Sequence, residues 1–475
     1  MRHYIWPVLA SASLMAFSSV HAIDRVEVTA PRPDRSADEG WLRLYKIPEG
    51  YAANRDNGFR GPAGGRQPPS SEDNTAIRCD VETSKPVMLT TGEKLLPESD
   101  FQTGGLSGVA LGRTYRSRLA AGQLFGPKWA SSLATWKVTG SGQTCVEGVC
   151  SPALAVLALD DGSQYRYTKV AGPGYSVAGN NLMGKLFYSA PGWTLAKDGY
   201  TYLFNSSGLL SSVKRNGALI RNYFYTNGVL TSVSNGQGQV VKLQWTGDRV
   251  TQVIDPAGGT WTFAYGSQGM LDTVTSPSPN AVTRRYHYED HADTTLLTGV
   301  SVNGVRYSTY SYYSDKRVRQ SGLSSSNGED VDSITYGSLS ATVTDARGQS
   351  TTYRFSNVNG ELKLTALSRP ATSTCPAAAA SIAYDANGYP DYDLDWNGVK
   401  TDYTYDSEGR LTKAVRDAGT SQRQTVSYTW DDWRLVMREL QGSDDAPFFR
   451  STYRYYITGD AAGRLEMQVD EDLIL

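Results

Sequence analysis

The sequence has little histidine and almost no net charge, and each scarcity argues against a class of function. Its 46 Lys and Arg balance 48 Asp and Glu to a net charge of −2, which leaves no basic footprint for nucleic acid. Only two of its four histidines, His287 and His291, lie beyond residue 22. A Gly-x-Ser-x-Gly elbow, a complete phosphate-binding glycine loop and a His-Glu-x-x-His motif are all missing. We therefore predict a protein that is not an enzyme and that binds no nucleic acid.

Long apolar runs are also missing, apart from one at the N-terminus. Arg2 precedes a mostly apolar run from Ile5 to Val20, and the small residues Val20 and Ala22 occupy the positions that a signal peptidase reads. We interpret residues 1–22 as a cleaved signal peptide, with an uncleaved anchor as the alternative. Because no later stretch is long enough to span a bilayer, we expect a periplasmic, secreted or cell-surface protein without a transmembrane span.

Cysteine is limited to four residues. An even number in an exported chain favours disulfides over a metal site. Cys145 and Cys150 flank a short hairpin end, so we expect them to pair. Cys79 and Cys375 are then partners by elimination, although two unpaired buried thiols remain an alternative for these two.

What the sequence has in abundance is tyrosine and glycine, 30 and 47 residues respectively. Aromatic residues favour strands and glycine favours tight turns. Three segments share one spacing, in which an aspartate is followed by a glycine three residues later, by two aromatics and by a second glycine. They begin at Asp255, Asp345 and Asp395. A spacing shared by three segments indicates a repeat unit.

Each unit has a physical interpretation as a hairpin. Aspartate at the first position of a turn accepts hydrogen bonds from the backbone N–H groups that follow it, and glycine at the fourth position tolerates positive φ. After the turn, Tyr403 and Tyr405 share one face of a strand while Asp402 and Thr404 share the other. One hairpin cannot bury its aromatic face alone, so the units must stack. The repeat turns are Asp255, Gly258, Asp345, Gly348, Asp395, Gly398, Asp406 and Gly409.

The chain divides into four predicted regions. After the signal peptide, residues 23–78 are rich in proline, glycine and mixed charge, which predicts a flexible linker with one small apolar anchor at Trp41–Ile47. Residues 79–200 are strand-rich without the regular repeat. From residue 201 to residue 475, turn signals recur at intervals of roughly 20 residues. The fold class is therefore all-β, built from antiparallel hairpin repeats.

Several segments resemble the Rhs and YD-repeat family. PVMLTTGEK at Pro86–Lys94, ESDF at Glu98–Phe101, LGRTYRS at Leu111–Ser117 and FGPKW at Phe125–Trp129 look like the N-terminal Rhs module. Tyr405–Leu411, and in degenerate form Gly463–Leu465, resemble the YD repeat. The resemblance implies an antiparallel sheet that coils as a spiral into a hollow or partial shell, which in the toxins of this family packages a C-terminal effector. The closing motif and the effector domain are expected to be missing from this chain.

Three groups of polar residues could carry other chemistry. Asp393, Asp395 and Asn397 match the opening of a calcium loop, but position twelve is Thr404 instead of glutamate, so a plain turn is favoured. On a strand, His287, Glu289 and His291 would share one face and could present metal ligands, with a polar strand face as the alternative. Asp391, Asp393 and Asp395 could serve as an acid and base for glycoside cleavage, although turn aspartates explain them more simply.

Together these features predict a non-catalytic, exported β-shell protein without metal or cofactor. Its expected partner is a polypeptide cargo or a surface carbohydrate, since tyrosine and tryptophan can contact either class. One alternative is the N-terminal part of a split or truncated polymorphic toxin delivery protein. Another is an enzyme that acts on envelope polysaccharide.

Overall fold

The computed structural model describes residues 85–473 apart from short gaps. The gaps are residues 105–107, 121, 123, 134, 147–148, 161–163, 171, 178–183, 198–199, 216, 324–329, 359–360, 371–377, 396, 408, 432–433 and 459–464. All described residues belong to one compact unit, Arg60–Leu475.

The described part of the chain is built from β-strands, with one 3₁₀ turn at Ser267–Gly269 and no α-helix. The first half contains β1 (Val87–Met88), β2 (Glu93–Gln102), β3 (Ala110–Arg116), β4 (Trp129–Ser131), β5 (Lys137–Ser141), β6 (Thr144–Val146), β7 (Val149–Ser151), β8 (Leu154–Ala158), β9 (Gln164–Lys169), β10 (Gly174–Ser176), β11 (Lys185–Ser189), β12 (Gly192–Lys197), β13 (Tyr200–Phe204), β14 (Leu210–Arg215), β15 (Ala218–Thr226), β16 (Val229–Ser234), β17 (Val240–Thr246) and β18 (Arg249–Ile254). The second half contains β19 (Thr260–Tyr265), β20 (Leu271–Thr275), β21 (Thr283–His287), β22 (Gly299–Val302), β23 (Val305–Tyr312), β24 (Val318–Gly322), β25 (Val331–Tyr336), β26 (Ser340–Thr344), β27 (Ser350–Val358), β28 (Glu361–Arg369), β29 (Ala378–Tyr384), β30 (Pro390–Leu394), β31 (Lys400–Tyr405), β32 (Leu411–Arg416), β33 (Gln424–Asp431), β34 (Arg434–Gln441), β35 (Pro447–Tyr455) and β36 (Leu465–Asp472). The predicted antiparallel all-β fold is confirmed.

These strands form one large sheet and two small ones. In the large sheet β5 pairs with β8, and from β8 to β36 each strand pairs antiparallel with the next. The start of β5 also meets the turn after β13, where Val138 N–H donates to Gly208 O at 2.8 Å. The predicted boundary at residue 200 lies inside this continuous sheet. The small sheets are β1–β4 and the hairpin β6–β7.

The β1–β4 sheet packs on one face of the large sheet, which we call the docked face. Aromatic rings meet between the two layers, with centroids 4.7 Å apart for Phe125 and Phe263 and 4.8 Å apart for Trp129 and Tyr286. Side chains alternate along β19, so that Phe263 is buried while its neighbour Ala264 is exposed. Burying these rings stabilises the contact between the layers, because large aromatic side chains remove much apolar surface from water.

The repeat turns have the geometry that their sequence predicts. Asp255 Oδ1 accepts the N–H groups of Ala257 at 2.9 Å and Gly259 at 2.8 Å, and Gly258 has φ of +88°. The other three turn aspartates accept an amide four residues ahead: Asp345 from Gln349, Asp395 from Val399 and Asp406 from Arg410. Their glycines Gly348, Gly398 and Gly409 have φ of +79°, +77° and +80°. Positive φ explains why glycine occupies these positions.

Successive hairpins are joined by a recurring hydrogen bond from an aromatic side chain. The aromatic residue lies at or just beyond the end of one strand, and it donates to the backbone carbonyl of a buried Leu or Val near an earlier turn. The bonds are Tyr225 to Leu210, Trp245 to Leu230, Tyr265 to Val250, Tyr288 to Leu271, Tyr312 to Leu297, Tyr336 to Val318, Tyr384 to Leu364, Trp430 to Leu411 and Tyr455 to Leu435. Each ring therefore buries apolar area and also satisfies a backbone acceptor.

Removing one of these hydroxyl groups should measurably weaken the stack. Tyr312→Phe removes the donor that lies 2.7 Å from Leu297 O, and we expect a loss of about 1 kcal/mol because a buried acceptor loses its partner. Thermal unfolding followed by tryptophan fluorescence measures the change. Tyr307→Phe is the matched control, because Tyr307 lies on the same strand, is 38% exposed and has no hydroxyl hydrogen bond among the described residues. Equal midpoints for the two variants would contradict the role of the bond.

Candidate functional site

The centre of the docked face is a fully buried ion pair between Arg113 and Asp100. Arg113 Nε lies 2.6 Å from Asp100 Oδ2, Nη2 lies 2.8 Å from Oδ1, and both side chains have 0% exposure. Four aromatic rings lie within 6 Å of the guanidinium carbon: Phe125, Trp129, Phe263 and Tyr286. Burial alone would lower the pKa of Arg113, but the charge of Asp100 raises it well above its usual value.

Further buried charges fix the small sheet in place. Arg116 Nη2 lies 2.9 Å from Glu93 Oε2, again with both side chains at 0% exposure. Lys94 Nζ sits 4.1 Å from the centre of the Tyr310 ring. Lys85 Nζ lies 2.7 Å from Asp332 Oδ1 on β25. These contacts fix the position of the small sheet on the large one, because a buried charge is costly unless it keeps its partner.

Backbone hydrogen bonds also cross between the two layers. Val250 N–H donates to Leu124 O at 3.0 Å, and Val318 N–H donates to Gly92 O at 2.9 Å. Along the docked face, the described contacts begin at Arg221 on β15, which donates to Gly108 O. The hydrophobic core that the two sheets share reaches Ile382 on β29. The small sheet is therefore part of the body of the fold.

The docked face continues beyond these contacts over β30–β35. Paired residues of an antiparallel sheet point to the same face, and Ile382 pairs with Asp393, which pairs with Thr401. Two residues on, Tyr403 pairs with Ala414. Following the register in this way places tyrosines and charged residues on this part, among smaller polar and apolar side chains. We call it the polar aromatic face, and its tyrosines and charged residues include Asp393, Tyr403, Arg416, Tyr428, Arg438 and Tyr453.

Side chains of the polar aromatic face bind one another across strands. Tyr403 donates its hydroxyl to Asp393 Oδ2 at 2.7 Å, and Arg438 Nη2 donates to Ser451 Oγ at 3.1 Å. Burial raises the pKa of Asp393 and raises that of Tyr428 to about 12. Arg438 Nε is buried without a hydrogen-bond partner among the described residues. The surface thus combines tyrosine rings with guanidinium groups, the residue types most enriched where proteins bind other proteins.

Two of the three aspartates considered for calcium or acid–base chemistry form hydrogen bonds that hold the local structure. Asp395 Oδ1 accepts amides of its own turn, and Arg416 Nη2 lies 3.3 Å from Asp395 Oδ2. Asp393 binds Tyr403, and Asp391 is exposed. Within the described ranges, no three His, Cys, Asp or Glu side chains are grouped so that they could hold a metal ion.

The expectation that His287, Glu289 and His291 share one strand face is wrong, because β21 ends at His287. His287 Nε2 lies 2.7 Å from Ser301 Oγ, and Arg306 binds Glu289 at 3.1 Å. Burial lowers the pKa of His287, whereas the hydrogen bond from Arg306 lowers that of Glu289. His291 is exposed. The structure therefore places His287 and Glu289, but not His291, in a polar network with Arg306.

The structure contains a disulfide between Cys145 and Cys150, with Cα atoms 4.0 Å apart. It joins β6 to β7, where the two cysteines are directly paired. Cys79 and Cys375 lie outside the described residues, so their predicted pairing stays a prediction.

Sequence reasoning assigned no role to the charged residues that hold the small sheet. Arg113 and Arg116 lie in LGRTYRS, Asp100 in ESDF and Glu93 in PVMLTTGEK, segments used only for a resemblance. The sequence did contain a signal for these ion pairs. Arg113 and Tyr115 occupy the same side of a strand, and opposite charges are available in the two arginines and in Asp100 and Glu93. The strands of the large sheet that they contact are far away in the sequence, for example 173 residues between Arg113 and Tyr286, so spacing could not reveal them.

Comparison with known proteins links parts of the chain to other families. Residues 84–148 match a family model described as a domain of unknown function, DUF6531. The chain is 37% identical over 79 residues to Double-stranded DNA deaminase toxin A of Burkholderia cenocepacia (strain H111). That match covers 16% of this chain and 6% of the relative. The chain is thus related over a short stretch to a toxin-associated group of proteins.

Two solved structures show a distant likeness in strand arrangement. A crystal structure of TcdB2-TccC3 aligns with a TM-score of 0.38 and 12% identity, over 82% of this chain and 26% of that one. A second, TcdB2-TccC3 without the hypervariable C-terminal region, aligns with a TM-score of 0.33 and 12% identity, over 77% and 24%. At these scores no residue is given a role from either structure. In the described part of the chain, no helix is both long and apolar enough to cross a membrane.

Proposed function

We propose that this chain is an exported, non-catalytic member of a toxin-delivery system, in which the polar aromatic face binds a polypeptide. The similarity to a toxin over 79 residues supports the association with toxins. The Cys145–Cys150 disulfide supports export, since disulfides persist in oxidising compartments.

The observation that carries the proposal is the continuity of the docked face. Over β15–β29 this face already holds a polypeptide layer, the β1–β4 sheet, through rings and buried charges. Over β30–β35 the same face presents tyrosines and arginines, beyond the hydrophobic core that the large sheet shares with the β1–β4 sheet. A surface that holds one polypeptide layer by these side chains is suited to hold another.

A polypeptide ligand fits this chemistry better than a glycan does. Arginine donates in a planar fork that matches carboxylates and backbone carbonyls. Sugars stack on flat exposed rings, and Tyr428 is only 6% exposed. We therefore propose an extended or unfolded polypeptide as the ligand class, with a toxin as the biological cargo.

The test uses a permanently unfolded polypeptide, fluorescein-labelled reduced and carboxymethylated α-lactalbumin, in fluorescence anisotropy titrations. We expect binding to the wild-type chain, and a loss of at least about thirtyfold in affinity for Tyr403→Ser combined with Arg416→Ser, since truncating an anchor residue at an interface costs about 1 kcal/mol or more each. Lys400→Ser combined with Lys413→Ser is the control, because these side chains lie on the opposite face of the same two strands.

The alternatives give different results in the same assay. No binding of the unfolded polypeptide, or equal affinity for both double variants, would contradict the proposal. A labelled peptidoglycan hexasaccharide that binds instead, and loses affinity in the Tyr403 and Arg416 variant, would assign the surface to carbohydrate. Circular dichroism of each variant checks that the sheet is intact.

A further inference from the structure

The last described strand, β36, forms an edge of the large sheet. It pairs with β35 along one side over Leu465–Asp472, and within the described residues no strand pairs with its other side. The strand is eight residues long, and it contains no proline or lysine, two residues that commonly protect an edge from further pairing. Its open side therefore offers a row of backbone donors and acceptors.

The alternation of the ladder identifies which backbone groups face the open side. Leu473 N–H donates to Phe448 O at 2.9 Å, so the odd-numbered residues of this strand bond to β35. The amides and carbonyls of Gln468, Asp470 and Asp472 consequently point away from β35. These are the groups that an added strand would bind.

The side chains of β36 differ between the two faces. Met467 and Val469 are 41% and 38% exposed, and they lie on the face opposite the polar aromatic face. Gln468, Asp470 and Asp472 share the face of Tyr453, to which Gln468 is paired. An added strand therefore meets apolar side chains on one face and carboxylates on the other.

The charge of β36 is entirely negative. Leu465–Asp472 carries four carboxylates and no lysine or arginine. Glu466 and Glu471 pair with arginines of β35, at 2.9 Å from Arg454 and 3.8 Å from Arg450. Asp470 and Asp472 form no ion pair among the described residues. Pairing of β36 with β36 of a second copy would place like charges opposite one another, which is unfavourable.

We propose that the open side of β36 is a strand-addition site for an extended segment of another polypeptide in which basic and apolar side chains alternate. The basic side chains lie opposite Asp470 and Asp472, and the apolar ones lie opposite Met467 and Val469. Main-chain hydrogen bonds supply affinity, and the alternating side chains supply specificity, as in other cases of strand addition. The inference rests on the proposed polypeptide-binding role, but it concerns a different surface.

The test uses an eight-residue fluorescent peptide of alternating lysine and valine, blocked at both ends, with the full mature chain. We expect binding that weakens as salt rises, because the charges are exposed. Asp470→Lys should lower the affinity about tenfold, since a like charge then meets the lysines. Asp248→Lys makes the same charge change at a side chain that is 79% exposed in the β17–β18 turn, and it should leave the affinity unchanged.

Two comparison peptides and one other measurement complete the test. A peptide with four lysines followed by four valines has the same composition without the alternation; equal affinity for it would show attraction by charge alone and overturn the proposal. A glutamate–valine peptide should bind Asp470→Lys more tightly than it binds the wild-type chain. Dimerisation of the wild-type chain in sedimentation that competes with binding of the lysine–valine peptide would assign the edge to a second copy and overturn the proposal. Tyr403→Ser with Arg416→Ser should not affect this peptide, so failure of the proposed function is seen separately.

Discussion

Asp100→Ala is expected to lower the free energy of unfolding of the β1–β4 sheet by about 3–5 kcal/mol. The substitution leaves the Arg113 guanidinium at 0% exposure among four rings, without the carboxylate that balances its charge. Hydrogen exchange of the β2 and β3 amides measures the loss, because exchange reports the opening of one region without requiring the whole chain to unfold in a single step.

Two further variants separate the buried charge from the packing. Asp100→Leu combined with Arg113→Met should recover part of the stability, since an apolar pair of similar volume leaves no charge unpaired. Arg347→Ala removes an ion pair whose arginine side chain is 78% exposed, and it should change stability by less than about 0.5 kcal/mol. A loss for Asp100→Ala no larger than that of Arg347→Ala would mean that the buried pair contributes little.

Local chemistry made the hairpins of this fold predictable, whereas the packing of the two layers was not. An aspartate that accepts amides two and four residues ahead, followed by a glycine at positive φ, is determined within five residues, as at Asp255 and Gly258. The same holds for the Cys145–Cys150 bridge across one hairpin. Such features depend on neighbours in the sequence, which a single sequence displays.

The position of the β1–β4 sheet depends instead on contacts between distant residues. Arg113 donates a hydrogen bond to Tyr286, and Lys85 donates one to Asp332, across separations of 173 and 247 residues in the sequence. Periodicity shows that these strands have a buried side but not which strands cover it. The candidate site was predictable to the same extent. Alternating tyrosines in the sequence indicated an aromatic face. Which part of that face the small sheet covers, and which part remains as the polar aromatic face, depends on where the small sheet lies.

The contact between β5 and the turn after β13 provides the second large effect, through Gly208. This glycine occupies the repeat-turn position, with φ of +75°, and a Cβ placed there would lie 2.0 Å from Val138 O. Gly258 occupies the equivalent position of another turn with φ of +88°, and a Cβ there has no atom within 4 Å. The two positions share the strained dihedral and differ in the clash.

Gly258→Ala should therefore cost about 1 kcal/mol, from the positive φ alone. Gly208→Ala should cost at least about 3 kcal/mol, since the backbone of β5 must also move and the bond from Val138 N–H to Gly208 O is lost. Thermal unfolding measures both, and hydrogen exchange at Val138 localises the difference. Similar midpoints for the two variants would show that β5 moves aside easily, and the meeting of β5 with this turn would then contribute little to the large sheet.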